Sequence, residues 1–209
     1  LDLGRSPEAD MMDRIRAAVK ATSAIDFVML SGSHTHHGPV IELRDEEGMG
    51  KGKFDDAVAY VAILEQKLIA VINEAATQTQ DARIGWGSAD VDMNRNRHKK
   101  FEPKPTDPEL SVIRFDDLDG KIIALMTNYS AHPTMFPGED LRFSAEWPGE
   151  MMTHVEKELG TNVGFLQGSA GDLSCKPTET TNTIDTFGPA LGDEVIKIAK
   201  AIETTVPEM

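Results

Sequence analysis

Only one cysteine, Cys175, occurs in the 209 residues, so no disulfide can form within the chain. That leaves the redox compartment open, because many secreted bacterial proteins also do without disulfides. Positive charge is the minority sign: 21 Lys and Arg stand against 35 Asp and Glu, a formal charge of -14. Such a surface repels phosphate backbones and anionic headgroups, which argues against a nucleic-acid partner and against non-specific adhesion to membranes. A lipid can still enter such a protein through a local apolar mouth. No apolar run approaches the roughly 20 residues that a bilayer-spanning helix needs. No leader-like segment opens the chain; Leu1-Asp-Leu-Gly4 reads like the end of a strand. The expectation is therefore a fragment, truncated at both ends, whose start carries no information on location. Internal repeats and low-complexity tracts are also missing.

What is there suits a single globular domain, with 40% hydrophobic and 27% charged residues. Residues 7–22 predict a helix, with Pro7 at the start, Ser6 as N-cap, acids first and basic residues later. Residues 26–31 form an apolar run of buried-strand length. The clearest helix covers 54–76, where Val58, Val61, Leu64, Leu68 and Val71 recur at helical spacing. A short strand is expected at 83–86, and two strands at 110–115 and 121–129 are joined by a turn ending in Asp119-Gly120, a hairpin signal. Residues 144–159 predict a helix stopped by Gly160, residues 162–167 another strand, and residues 187–204 a closing amphipathic helix. Met11, Met12, Met151 and Met152 fall at helical core spacing and read as packing. Strands alternating with helices, plus one hairpin, predict an α/β layered domain with a mixed β-sheet flanked by helices.

Three strands in this reading end in polar, glycine-containing turns, and in open α/β sheets ligand sites lie outside strand ends. The first turn is Ser33-His-Thr-His-His37. If it is extended, His34 and His36 point one way and His37 the other. Two imidazoles so spaced can reach one ion, and imidazole suits zinc, copper, iron or nickel rather than calcium. The bland alternative is a polar loop whose histidines bond to backbone. The second turn carries His132, held extended by Pro133 at the exit of an apolar run. A buried histidine donating to a carbonyl is the alternative there. The third, Gly168-Ser-Ala-Gly-Asp-Leu-Ser-Cys175, offers Ser169 or Ser174 as a nucleophile, or its amides as an oxyanion pocket; an ordinary tight turn is the competing reading. Its spacing is not the G-x-S-x-G elbow. Arg95 and Arg97 lie in a polar loop, where arginine is normally solvated unless the loop folds over a site. Cys175 reads as a passive small residue.

Taken in order, these motifs resemble the neutral/alkaline non-lysosomal ceramidases. That family's T-H-T-H-S-G-P, N-R, A-x-H, S-A-D-x-P-G and G-D-V-S-P-N segments have collinear counterparts here. These are Ser33–Pro39, Asn94-Arg95, Ala131-His-Pro133, Ser144-Ala-Glu-Trp-Pro-Gly149 and Gly171-Asp-Leu-Ser174. The resemblance implies that His34 and His132 are zinc ligands, that His36 and Arg95 are active-site polar residues, and that Ser174 is the catalytic serine. It also implies a glutamate and a tyrosine ligand farther toward the C-terminus. No matching segment occurs before Met209, so the rest of the protein's own chain is expected to supply them. Two departures border the implied site: His37 replaces the family's Ser, and Cys175-Lys176 replaces Pro-Asn.

The function so implied is zinc-dependent hydrolysis of the N-acyl amide of ceramide or a related lipid amide, in a secreted or membrane-facing setting. Whether Ser174 or a zinc-activated water attacks stays open. The rival readings are a metal-dependent amidohydrolase or phosphoesterase built on the H-x-H pair, with Asp172 as a further ligand, and a non-catalytic binding domain.

Overall fold

The computed structural model describes residues 1–207. Its centre is a four-stranded sheet built from β1 (Arg83–Asp90), β3 (Glu109–Asp116), β4 (Ile122–Tyr129) and β5 (Asn162–Gln167), in the order β1-β3-β4-β5. The first three run antiparallel and β5 joins β4 in parallel, so the sheet is mixed as the sequence predicts. A parallel pair needs a crossover connection, and α3 (Glu146–Leu159) supplies it. Two further short strands, β2 (Asn94–Asn96) and β6 (Leu173–Cys175), pair antiparallel beside the strand exits.

Period-two burial explains which face is covered. Leu110 and Val112 of β3, Leu125 and Tyr129 of β4, and Phe165 of β5 share one face and are buried against α3 and α4 (Ile184–Ala201). Trp147 is fully buried between them, edge-on to Tyr129, Phe165 and Phe187 at centroid distances of 6.4, 5.2 and 5.7 Å. Each aromatic of this kind buried from water contributes roughly 2–3 kcal/mol. At the other end, Asp116 accepts from Arg114 Nε (2.8 Å) and Thr204 Oγ1 (2.8 Å), and Arg114 Nη1 donates to Ala199 O (3.0 Å). The bonds to Ala199 O and from Thr204 fasten the end of α4 and the residues after it to β3. Two helices, α1 (Ala9–Thr22) and α2 (Asp55–Ala76), build a second apolar cluster with Leu3, Val28 and Ile41. No helix among the described residues is long and apolar enough to cross a membrane.

Several expectations need correction. Residues 26–31 are not a strand; Phe27 and Met29 are 76% and 60% exposed, and only Val28 of that trio is buried. The run is apolar enough for a strand, but among the described residues it pairs with no strand. Instead its continuation bonds to the first residues, Ser33 N–H donating to Leu1 O (2.7 Å) and His34 N–H to Leu3 O (3.0 Å). Ser6 is not the cap of α1: Glu8 holds that position and no side chain caps it. The strand expected at 83–86 continues to Asp90 because its glycines and small residues pair along all of β3. The last helix starts earlier, at Ile184, where Thr183 N–H donates to Thr186 Oγ1 (3.1 Å), and ends at Ala201. Gly160, at φ 63°, closes α3 as expected, a left-handed turn that other residues resist. Met11, Met12 and Met151 are buried; Met152 is half-buried against the same core.

Candidate functional site

The parallel pairing of β4 with β5 sets the site. Tyr129 and Gln167, the last residues of the two strands, are register partners, so both chains leave the sheet side by side. After β4 comes His132. After β5 the chain turns through Gly168–Asp172 and returns as β6, so that His132 N–H donates to Leu173 O (3.0 Å) and His132 bridges Ser174 in parallel. The third segment, 33–37, arrives from the other apolar cluster. It approaches so closely that a Cβ on Gly32 would lie 2.8 Å from Leu3 O, which restricts that position to glycine. Two turns thus leave strand ends; the one at His34 leaves an unpaired extended segment instead.

His34, His36 and His132 converge. Ring centroids are 4.5 Å apart for His34–His132, 5.0 Å for His34–His36 and 4.9 Å for His36–His132, and one nitrogen from each lies within 4.8 Å of the others. His34 sits at φ 66°, a conformation that costs a non-glycine residue roughly 1 kcal/mol. It is held there by its own N–H on Leu3 and by Nδ1 against Gly4 O (2.6 Å). His132 is buried, with Nδ1 3.0 Å from Ala170 O. A ring whose Nδ1–H donates to a backbone carbonyl keeps its Nε2 lone pair free, the arrangement that metal-binding histidines need. Burial pushes the His36 and His132 imidazoles below their usual pKa, and the neighbouring rings and Arg97 push the same way for His36. Neutral imidazoles are the metal-binding form. Nitrogen donors on neutral, closely grouped rings therefore fit a zinc-type ion.

His37 turns away, although the segment is not extended: His34 is left-handed and residues 36–37 form a turn. Its Nε2 faces Pro137 O (3.1 Å), and its ring stands edge-on to Phe136. The segment 33–37 is tied to the start of α3: Thr35 Oγ1 donates to Ser144 O (2.7 Å) and Ser144 N–H donates to His37 O (3.0 Å). Glu146 completes that clamp. It is buried, at φ 59°, and its carboxylate accepts the N–H groups of Phe136 (2.6 Å) and Trp147 (3.2 Å). Burial raises its pKa despite those donors.

A cavity of about 380 Å³ adjoins His132 and is lined by Arg95, Arg97 and Ser174, among others. Arg95 and Ser174 are register partners in the β2–β6 pair. Ser174 is half-buried, and its Oγ makes only a 3.5 Å bond to Cys175 O. Ser169 is exposed and lines none of the cavities that touch the histidines. Asp172 receives Asn96 Nδ2 (2.7 Å) and is not part of the histidine group. Cys175 is buried and its thiol pKa is pushed far up, which suits a passive packing role.

Arg97, which sequence reasoning left as a solvated residue, is the guanidinium that touches a site ring. Its Nη2 lies 3.1 Å from His132 Nδ1 and donates to Gly171 O at 3.0 Å. Arg97 follows β2 directly, and its backbone N–H donates to Asp172 O (2.8 Å), which brings its side chain to the ring. Glu146 stood in the sequence only as part of the Ser144–Gly149 motif; its burial and its two backbone donors give it a role.

No family model matches the chain. A sequence relative is the neutral ceramidase of Pseudomonas aeruginosa, 24% identical over 189 residues, 78% of this chain and 26% of that protein. A crystal structure of neutral ceramidase from Pseudomonas aeruginosa superposes with a TM-score of 0.74 at 22% identity, over 99% of this chain and 37% of the other. A ceramidase complexed with C2 superposes at 0.72 with 24% identity, over 99% and 36%. The chain thus spans a quarter to somewhat over a third of the length of these relatives. The resemblance read from the ordered motifs is borne out, and so is the mixed sheet flanked by helices.

Proposed function

We propose that this chain carries part of the active site of a zinc-dependent hydrolase of N-acyl amides, with ceramide or a related lipid amide as substrate. The observation that carries the reading is the meeting of His34, His36 and His132 at adjoining chain exits, with Nδ1 of His34 and His132 on backbone carbonyls. The ceramidase similarity supports the choice of an amide over a phosphoester.

His34 and His132 are the zinc ligands in this reading. Two ligands fall short of the three that a catalytic zinc keeps. The remaining ones are assigned to polypeptide outside these 209 residues. Bound zinc would supply Lewis acidity and bring the pKa of a water to about 7. An amide carbonyl is a poor electrophile, so the protein must also stabilise negative charge on its oxygen. Arg95, lining the cavity beside His132, is suited to that. His36, neutral and exposed at the rim, can take or return a proton. Ser174 faces the same cavity and acts as nucleophile or holds the substrate amide.

A second reading makes His36 the third zinc ligand, because its Nε2 already lies 2.9 Å from that of His132. The two readings differ in what His36→Ala does: loss of turnover with zinc retained assigns proton transfer, and loss of both assigns ligation.

The test is a screen of the full-length protein against ceramides and simpler N-acyl amides, with and without chelator. Release of fatty acid and amine that stops with chelator and returns with zinc is expected. Full turnover in a metal-free preparation overturns the reading.

A further inference from the structure

Acids outnumber Lys and Arg in this chain by 35 to 21, yet residues 95–104 hold Arg95, Arg97, Lys99, Lys100 and Lys104 with Glu102 as their one acid. The two arginines line the cavity of about 380 Å³ beside His132 together with Thr134, Ser174 and Asn182, and no Asp or Glu lines it. Arg5, Arg14, Arg16, Arg44, Arg114 and Arg142 each pair with a carboxylate. Among the described residues Arg95 and Arg97 pair with none. Asp172 is the strand neighbour of Arg97, and its carbonyl receives the Arg97 N–H at 2.8 Å. Its carboxylate, however, takes Asn96 Nδ2 at 2.7 Å and leaves the guanidinium alone.

Arg97 is anchored without being saturated. Its Nη2 donates to Gly171 O at 3.0 Å and lies 3.1 Å from the His132 ring, which places the guanidinium beside the proposed reaction centre. A guanidinium carries five N–H donors. Among the described residues Arg97 Nε and Nη1 have no partner, and the Arg95 side chain makes no hydrogen bond. Two cations in a polar cavity without a counter-charge select an anion, and salt screens the rest of the chain's negative charge beyond roughly 8–10 Å. The acyl half of a lipid amide is hydrocarbon, which guanidinium groups do not favour. The amine half is therefore the one that meets them.

We propose that Arg97 reads an anionic group on the amine half of the substrate, close to the scissile amide, so that N-acyl amides with such a group, N-acyl amino acids among them, are hydrolysed in preference to neutral ceramide. Arg95 is left for the carbonyl oxygen. Carboxylate and phosphate both match the guanidinium fork. Hydrolysis adds one water across the amide and releases a fatty acid and an amine that keeps its anionic group. The inference rests on the hydrolase reading above and narrows its substrate class.

The experiment gives the full-length protein two substrate pairs with one acyl chain: N-lauroylglycine with neutral N-lauroylethanolamine, and ceramide 1-phosphate with ceramide. In at least one pair kcat/KM is expected to favour the anionic member by about tenfold or more, through KM, as one charge-assisted hydrogen bond provides. The larger ratio names the anion, carboxylate or phosphate. Arg97→Gln should cut that ratio about tenfold, and Arg97→Lys should keep part of it, because lysine retains the charge without the fork. Chelator-sensitive turnover with no preference in either pair overturns this inference and leaves the hydrolase reading standing. Lys99→Gln changes a charge that does not line the cavity. If it cuts the ratio as far as Arg97→Gln does, the preference is diffuse electrostatics and the assignment to Arg97 falls. If no amide is hydrolysed, the hydrolase reading fails, and calorimetric binding of N-lauroylglycine and N-lauroylethanolamine decides the anion site. Tighter binding of the former that Arg97→Gln removes upholds it; equal affinities overturn it.

Discussion

His36 and His132, 96 positions apart in sequence, bring their Nε2 atoms to 2.9 Å. That is a hydrogen-bond distance. Two nitrogens sharing one tetrahedral zinc at about 2.0–2.1 Å would sit roughly 3.3 Å apart. The contact therefore describes a pair of neutral rings sharing one proton, a short step from a ligand pair. Burial keeps both rings neutral by depressing their pKa values, so the same feature that permits the contact prepares the site for a cation.

Removing His34 should lower the affinity of the full-length protein for zinc by at least about 100-fold, more than loss of a surrounding hydrogen-bond partner costs. Metal content after dialysis, measured by emission spectrometry, checks this. Unchanged zinc in His34→Ala would falsify its role as a ligand.

Stability should fall with acid earlier than carboxylate titration alone explains. Both rings have folded-state pKa values below the ordinary 6.5. The unfolded chain therefore binds protons first, and stability present above about pH 6.5 is lost as pH falls through the lowered folded values. Thermal melts of the metal-free chain should show a declining midpoint from pH 7 toward pH 5. A His36→Asn/His132→Asn double variant should flatten that decline.

Glu146→Gln should destabilise the chain by about 2 kcal/mol, because an amide can oppose only one of the two N–H groups of Phe136 and Trp147 with an acceptor. The raised Glu146 pKa makes the parent lose stability as pH rises through the folded value above 4.5. The variant should lack that slope. Urea midpoints across pH 4 to 8 report both effects.

Asp116→Ala should cost about 3 kcal/mol, since it leaves Arg114, largely buried, without its carboxylate and frees Thr204 from β3. Hydrogen exchange should then speed at the end of α4 around Ala199, where Arg114 also binds.

Ser174→Ala in the full-length protein distinguishes the two nucleophiles. A loss of turnover of at least about 1000-fold with unchanged zinc assigns attack to the serine hydroxyl. A near-parental rate excludes it.

The sequence alone determined what local chemistry and periodicity control. The helix at 55–76, the hairpin closed by Asp119-Gly120, the stop at Gly160 and the strand at 162–167 follow from side-chain spacing and turn residues. The ordered histidine, arginine and serine motifs were legible for the same reason, being short and contiguous. Tertiary structure alone decided the rest. Residues 26–31 are as apolar as a strand, yet a strand needs a pairing partner, and among the described residues this run pairs with none. Which arginine reaches His132 depends on how β2 lies against β6, a pairing of segments nearly eighty residues apart. Glu146 became a clamp only through the long-range burial of its carboxylate beneath the loop that follows His132. Hydrogen bonds and desolvation act over a few ångströms of space, and sequence distance does not record which atoms come that close.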